Sequence, residues 1–281
     1  MSTLKKIIRN TPVIREFILF LSRCKSALAY FVYPLRELVV WLFTSREFAN
    51  FTYDLTDINK RYLISLIAVI TVKNFREINS YAIELENDEE LRSHIESTIL
   101  NSKERHFADQ KVHFGRRLGW YILVRALKPK IIVETGVDKG MGSCVLAAAL
   151  MKNEKDGFPG YYYGTDINPV AGYLLSGKYR KYGEILYGDS IASLKKLDLE
   201  IDLFINDSDH SAAYEEEEYE IIEKKLSNTA IVLGDNAHVT DKLINFALAT
   251  NRSFVFFQEK PYKHWYLGAG IGIAYKLRNE I

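Results

Sequence analysis

Beyond residue 130 the chain alternates two hydrophobic patterns. Short apolar runs rich in β-branched and aromatic residues, such as Ile131-Ile132-Val133, Tyr161-Tyr162-Tyr163 and Leu203-Phe204-Ile205, read as buried strands. Between them lie stretches of good helix formers, of which Ser143 to Leu150 is the clearest. The strands expected on this basis start at Ile131 and then cover 161–166, 184–189, 201–207, 230–235, 253–258 and 266–275. Strands alternating with helices predict an α/β protein with a mostly parallel sheet covered on both faces. The last two runs are joined by a short segment containing Pro261, with no room for a helix, so they should pair antiparallel.

The first hundred residues follow a different pattern. Residues 1 to about 50 are glycine-free and read as helical, with Phe17 to Leu21 and Val39 to Phe43 apolar on several faces. One reading is a helical hairpin buried against the rest of the protein or in a homodimer. The other is peripheral membrane contact, with basic residues beside Trp and Phe. The apolar run after Lys5, Lys6 and Arg9 is broken by Arg15, Glu16, Arg23 and Lys25, which argues against a signal peptide. The stretch 26–34 is too short to span a bilayer. Thr56-Asp57 opens a further helix. Asn87-x-x-Glu90 resembles a capping box, with Leu91, Ile95 and Ile99 on one face behind it. The expected division is an N-terminal helical subdomain over 1–110 and a catalytic domain over 111–281.

Composition narrows the classes. Among 281 residues, Lys+Arg 37 against Asp+Glu 36 gives a net charge of +1, which argues against a basic nucleic-acid surface. Cys24 and Cys144 are far apart and lack metal-site spacing, so they read as reduced, buried thiols of a cytoplasmic protein. The acidic run Glu215 to Glu218 falls near a helix start, where the dipole favours acids, and reads as a solvated face.

The candidate chemistry begins at the first strand. Glu134-x-Gly136-x-x-x-Gly140 is a glycine-punctuated turn before a helix, a place where backbone can approach a ligand closely. A dinucleotide fingerprint needs glycine where Asp138 stands, and a pyrophosphate would meet that carboxylate. Five consecutive strand ends carry an acid: Glu134, Asp166, Asp189, Asp207 and Asp235. Ligands of open α/β sheets bind outside the carboxyl ends of the strands, and five acids there are hard to explain as packing. Asp166 can accept two ribose hydroxyls or start the turn Asp166-Ile167-Asn168-Pro169. Ser190 is a candidate N-cap for the helix 191–197. Arg116 or Arg117 could meet a ligand carboxylate, although a structural role is the default.

The Glu134-x-Gly136-x-x-x-Gly140 pattern resembles motif I of the class I methyltransferases that use S-adenosylmethionine. Asp207 after the fourth strand and Asp235-Asn236 after the fifth resemble the magnesium site of the catechol-type O-methyltransferases. The run Asp207-Ser208-Asp209-His210-Ser211 is also similar to the cephalosporin-hydroxylase-like and macrolide or sugar O-methyltransferases. The resemblance covers about residues 111–281. It implies a Rossmann-like seven-stranded sheet, mostly parallel with an antiparallel last strand. It further implies S-adenosylmethionine held by Glu134, Gly136, Gly140 and Asp166, with Asp189 and Ser190 at the adenine, and Mg2+ on Asp207, Asp235 and Asn236. The catechol enzymes carry a catalytic lysine three residues after the first Asp. Here His210 stands in that place, as the candidate base beside Asp207. The expected activity is O-methylation of a small-molecule or sugar hydroxyl.

Other readings remain at this level: a metal-free methyltransferase, and a binding protein that keeps the fold without catalysis. An NAD-dependent oxidoreductase is opposed by Asp138. A metal-dependent oxygenase would need two histidines and a carboxylate, for which His210 and His238 are the candidates.

Overall fold

A computed structural model describes residues 12–48 and 51–276; Lys5, Lys6 and Arg9 lie outside the described residues. The chain divides into two compact units. One comprises, among the described residues, 12–45 and 263–267; the other holds 46–262 and the chain from Gly268.

The first unit contains one continuous helix, α1 (Pro12–Thr44), with Pro34 inside it and no buried residue. This corrects the expected helical hairpin. No glycine or turn sequence interrupts the segment, and its apolar residues face outward rather than into a core. Cys24 lies on α1 and is half-exposed, whereas Cys144 is buried; both are free thiols. The burial expected for Cys24 therefore does not occur. The ring of Trp41 meets those of His264 and Trp265 edge-on, at centroid distances of 6.5 and 5.3 Å.

The second unit begins with three helices, α2 (Asp57–Thr71), α3 (Phe75–Glu86) and α4 (Glu89–Asn101). Thr56 caps α2 by accepting from the Asn59 amide, as its sequence suggested. The cap of α4 is Asp88, one residue later than expected: its carboxylate accepts from Leu91 N, while Asn87 ends α3. Leu91, Ile95 and Ile99 are buried as predicted.

From α5 (Arg117–Leu127) the α/β pattern follows: β1 (Ile131–Thr135), α6 (Met141–Lys155), β2 (Tyr161–Asp166), β3 (Gly183–Tyr187), α7 (Ser190–Lys196), β4 (Ile201–Asn206), α8 (Ala212–Glu223), β5 (Leu226–Gly234), α9 (Lys242–Ala249), β6 (Ser253–Gln258) and β7 (Gly270–Tyr275). The seven strands form one sheet in the order β3-β2-β1-β4-β5-β7-β6. All pairings are parallel except those of β7, which runs antiparallel to both β5 and β6. This is the Rossmann-like methyltransferase fold expected from the sequence. Helices cover both faces. Val133, Phe204 and Val232 pack under Tyr219, Ile222 and Phe246 of α8 and α9. Tyr162 points to the other side of the sheet from Tyr161 and Tyr163, and is buried against α6 through Ser143.

Strand order reverses between β1 and β4, which is where open α/β sheets bind ligands. The register aligns Thr135 with both Thr165 and Asn206, and Asn206 with Gly234. The next residue on each strand, Gly136, Asp166, Asp207 and Asp235, therefore stands at one edge of the sheet.

Candidate functional site

The glycine loop and Asp166 form one hydrogen-bonded unit. Gly136 donates its amide to Thr165 O at 2.9 Å. Its φ is +78°, and a Cβ there would lie 2.1 Å from the Asp207 carbonyl oxygen, so only glycine fits. One carboxylate oxygen of Asp166 accepts from the amides of Val137 and Asp138 at 3.1 and 3.0 Å; the other accepts from Asn168 N at 2.8 Å. Asp166 thus does begin the turn read from the sequence, and also clasps the glycine loop. Gly140, at φ +90°, caps α6.

Glu134 faces inward. It is buried beneath α6, accepts a hydrogen bond from the Tyr162 hydroxyl, and fills the space a side chain at position 142 would need. Burial pushes its carboxyl up to about 7, an effect the Tyr162 hydrogen bond partly offsets.

At the end of β3, Asp189 rather than Ser190 caps α7, accepting from Ala192 N at 2.8 Å. The carboxylate reaches the amide of the helix's third residue, which leaves the Ser190 hydroxyl to turn inward. Ser190 donates to Glu218 and meets the Tyr214 hydroxyl, which also donates to Asp189 at 2.9 Å.

Glu218 is the junction of a buried network absent from the expectations. It accepts from Thr135 Oγ1 at 2.8 Å, from Ser208 Oγ at 2.9 Å, and from Ser190 and the Asn206 amide. These groups link the ends of β1 and β4 to α7 and α8. Burial raises its pKa, and the hydrogen bonds oppose the rise. The acidic run is therefore not wholly a solvated face. Glu215 and Glu218 are buried one helical turn apart, while Glu216 and Glu217 are exposed and pair with Lys242 and Lys195. The signal was their spacing, since Glu215, Glu218, Tyr219 and Ile222 share one face of α8.

The remaining acids converge. Asp207, His210 and Asp235 bring one ligand atom each within 4.8 Å of the others. His210 is held from both sides: Nδ1 lies 3.4 Å from Glu215 Oε1, and Nε2 lies 3.1 Å from the Asn236 amide nitrogen and 3.9 Å from Asp207. Asn236 takes a left-handed conformation, φ +50°, that turns its side chain back toward His210. His238 is elsewhere, with its ring 6.4 Å from that of Phe256.

Arg116 supplies the counter-charge. Its guanidinium lies 2.8 Å from Asp235 and 3.4 Å from Asp207. Burial disfavours the charged guanidinium, but Asp235 and Asp207 outweigh this and hold its pKa above the usual value. Burial, and then the Asp235 carboxylate beside it, push the Asp207 carboxyl well above the usual range, with Arg116 opposing. Glu259, buried and accepting from the Tyr53 hydroxyl, belongs to the same charged interior. Arg117 lies near the Trp120 ring and is pushed down by burial and by Arg116. Arg116 thus lies within the candidate site, on its acids, whereas Arg117 stands beside Trp120.

The class of protein follows from this arrangement: residues 133–237, the span from β1 to just past β5, match the family model of a methyltransferase domain. These residues carry the methyltransferase-domain signature, and the sheet around them has the class I methyltransferase fold. It is similar in fold to the O-methyltransferase of Bacillus cereus solved in complex with SAH (TM-score 0.51, 15% identity, 66% of this chain and 91% of that one). It is also similar to the O-methyltransferase TomG of Streptomyces achromogenes, involved in tomaymycin synthesis and solved with SAM (TM-score 0.51, 19% identity, 68% and 91%). No curated protein sequence matches the chain.

Proposed function

We propose that the protein transfers a methyl group from S-adenosylmethionine to a hydroxyl oxygen of a small-molecule or sugar acceptor, assisted by a divalent cation. The observation that carries this reading is the convergence of Asp207, His210 and Asp235 beside the Gly136–Gly140 loop. The donor is a sulfonium with no phosphate, so the acids around this loop attract it where they would repel a dinucleotide. The two solved relatives hold SAH or SAM, which supports the same donor here.

The donor set suits a hard divalent cation: two carboxylates, with the Asn236 side chain, whose amide nitrogen meets His210, next in the chain after Asp235. Asp235 Oδ1 is buried without a hydrogen-bond donor of good geometry, as a ligand atom would be. Asp207, Asp235 and Asn236 would hold the ion, which when bound would lower the pKa of an acceptor hydroxyl. His210 would take the proton at Nε2, with Glu215 at Nδ1 holding the ring. The acceptor hydroxyl must first displace the Asn236 amide from that nitrogen. Asp166 keeps the glycine loop in shape for the donor.

One observation favours a second reading, a metal-free methyltransferase. Arg116 already balances Asp207 and Asp235 and could do so without an ion. Incubation with labelled S-adenosylmethionine and fractionated cell extract, with and without chelator, tests both. Labelled product that disappears with chelator and returns with Mg2+ supports the metal. Undiminished labelling in chelator leaves the metal-free reading, and no labelling from any fraction removes both.

A further inference from the structure

We propose that α1 is an amphipathic anchor that lies in the plane of an anionic lipid bilayer. All 33 of its residues are at least partly exposed, including Phe17, Phe20, Leu28, Phe31, Leu35 and Leu42. At 100° per residue the large apolar residues fill an unbroken arc about 120° wide along the whole helix, roughly 50 Å. Every charged residue falls outside that arc. Four of them are basic, Arg15, Arg23, Lys25 and Arg36, against two acids, Glu16 and Glu37. An apolar stripe flanked by an excess of basic residues fits a surface of acyl chains beneath anionic headgroups. Aromatic residues complete the pattern. Trp41 and Trp265 meet edge-on in the same unit, beside Tyr266 and the exposed Leu267, and such residues prefer the headgroup level.

Among the described residues, α1 is the one helix long and apolar enough to cross a bilayer. Its charges oppose a crossing. The longest uncharged stretch, 26–35, covers about 15 Å, half of the roughly 30 Å hydrocarbon thickness. A second copy of the chain is a poorer occupant. The positions beside the central seam carry Ile18, Phe20, Val32 and Val39, where a coiled coil places charges, and Pro34 interrupts the backbone ladder.

The test uses the full chain and needs no introduced cysteine, because Cys24 sits within the apolar arc while Cys144 is buried. The protein is mixed with vesicles of phosphatidylcholine alone or with phosphatidylglycerol, floated, and labelled with a water-soluble maleimide. The proposal expects flotation with the anionic vesicles only, and labelling of Cys24 slowed at least several-fold there. Phe17→Glu with Phe31→Glu should abolish flotation. Arg23→Gln with Lys25→Gln should reduce binding on the order of tenfold. Failure to float with anionic vesicles, or unchanged Cys24 labelling, overturns it. So does a soluble dimer that the Phe17/Phe31 variant converts to monomer, which would assign the face to a second copy. Equal flotation on both vesicle types that survives high salt would assign it to a spanning helix instead.

Discussion

The guanidinium of Arg116 lies 2.8 Å from the carboxylate of Asp235, and both side chains are largely withdrawn from water. Removing one partner of a buried pair leaves the other uncompensated. Here Asp207 and Glu259 share the same counter-charge. Arg116→Gln should therefore lower unfolding stability by about 3–5 kcal/mol in chelator. If the acids also hold a cation, added Mg2+ should restore more of that loss in the variant than it adds to the unmutated protein. Urea titrations with and without Mg2+ measure both, and a variant as stable as the parent would refute the ion-pair argument.

The glycine loop has no tolerance at its first glycine. Gly136→Ala places a Cβ within 2.1 Å of the Asp207 carbonyl at a φ of +78°. Donor binding by calorimetry should be lost. Asp166→Ala, which frees the Val137 and Asp138 amides, should weaken it by about 1–3 kcal/mol. Unchanged affinity in both would remove this loop from the donor site.

Glu134 makes stability depend on pH. Its folded pKa of about 7 stands above the usual 4.5, so the folded state binds the proton more tightly than the unfolded one. The protonated carboxyl favours the fold at low pH, and that contribution is lost as pH rises from about 4.5 through 7. The size is on the order of 3 kcal/mol. Glu134→Gln should be flat in this window, so its stability relative to the parent should rise between pH 5 and 7.5. A constant difference across those pH values would contradict the assignment.

His210 and Glu215 should separate in kinetics. His210→Ala is expected to cost on the order of 10²–10⁴ in turnover if the imidazole takes the proton. Glu215→Gln keeps the side-chain shape near Nδ1 and should cost less, with donor affinity unchanged in both. Equal turnover in His210→Ala and the parent would send the base assignment elsewhere.

The strands were legible because each is a short apolar run, five of them closed by an acid, and the pattern is local. Ser253 to Gln258 and Tyr161 to Asp166 match the observed strands residue for residue. The switch-point acids were legible for the same reason, since strand ends can be located without knowing the packing. The pairing of Arg116 with Asp235 was not, because 119 residues separate the partners and no local pattern links them. Glu218 was hidden inside a run whose charge suggested water; its burial is a property of the four donors around it, which come from three other segments. At α1 the sequence spoke for helix but not for exposure, since burial of an apolar helix depends on packing that no local pattern encodes.

The position of β7 has a consequence for assembly during synthesis. β6 emerges before β7, yet in the finished sheet it touches only β7, which is itself wedged beside β5. Until β7 is made, the flank of β5 is an open edge and β6 has no partner, although the five-stranded parallel part can already close. The nascent chain therefore carries an adhesive edge through the interval between these two strands, and a chaperone or pause acting there would protect it most.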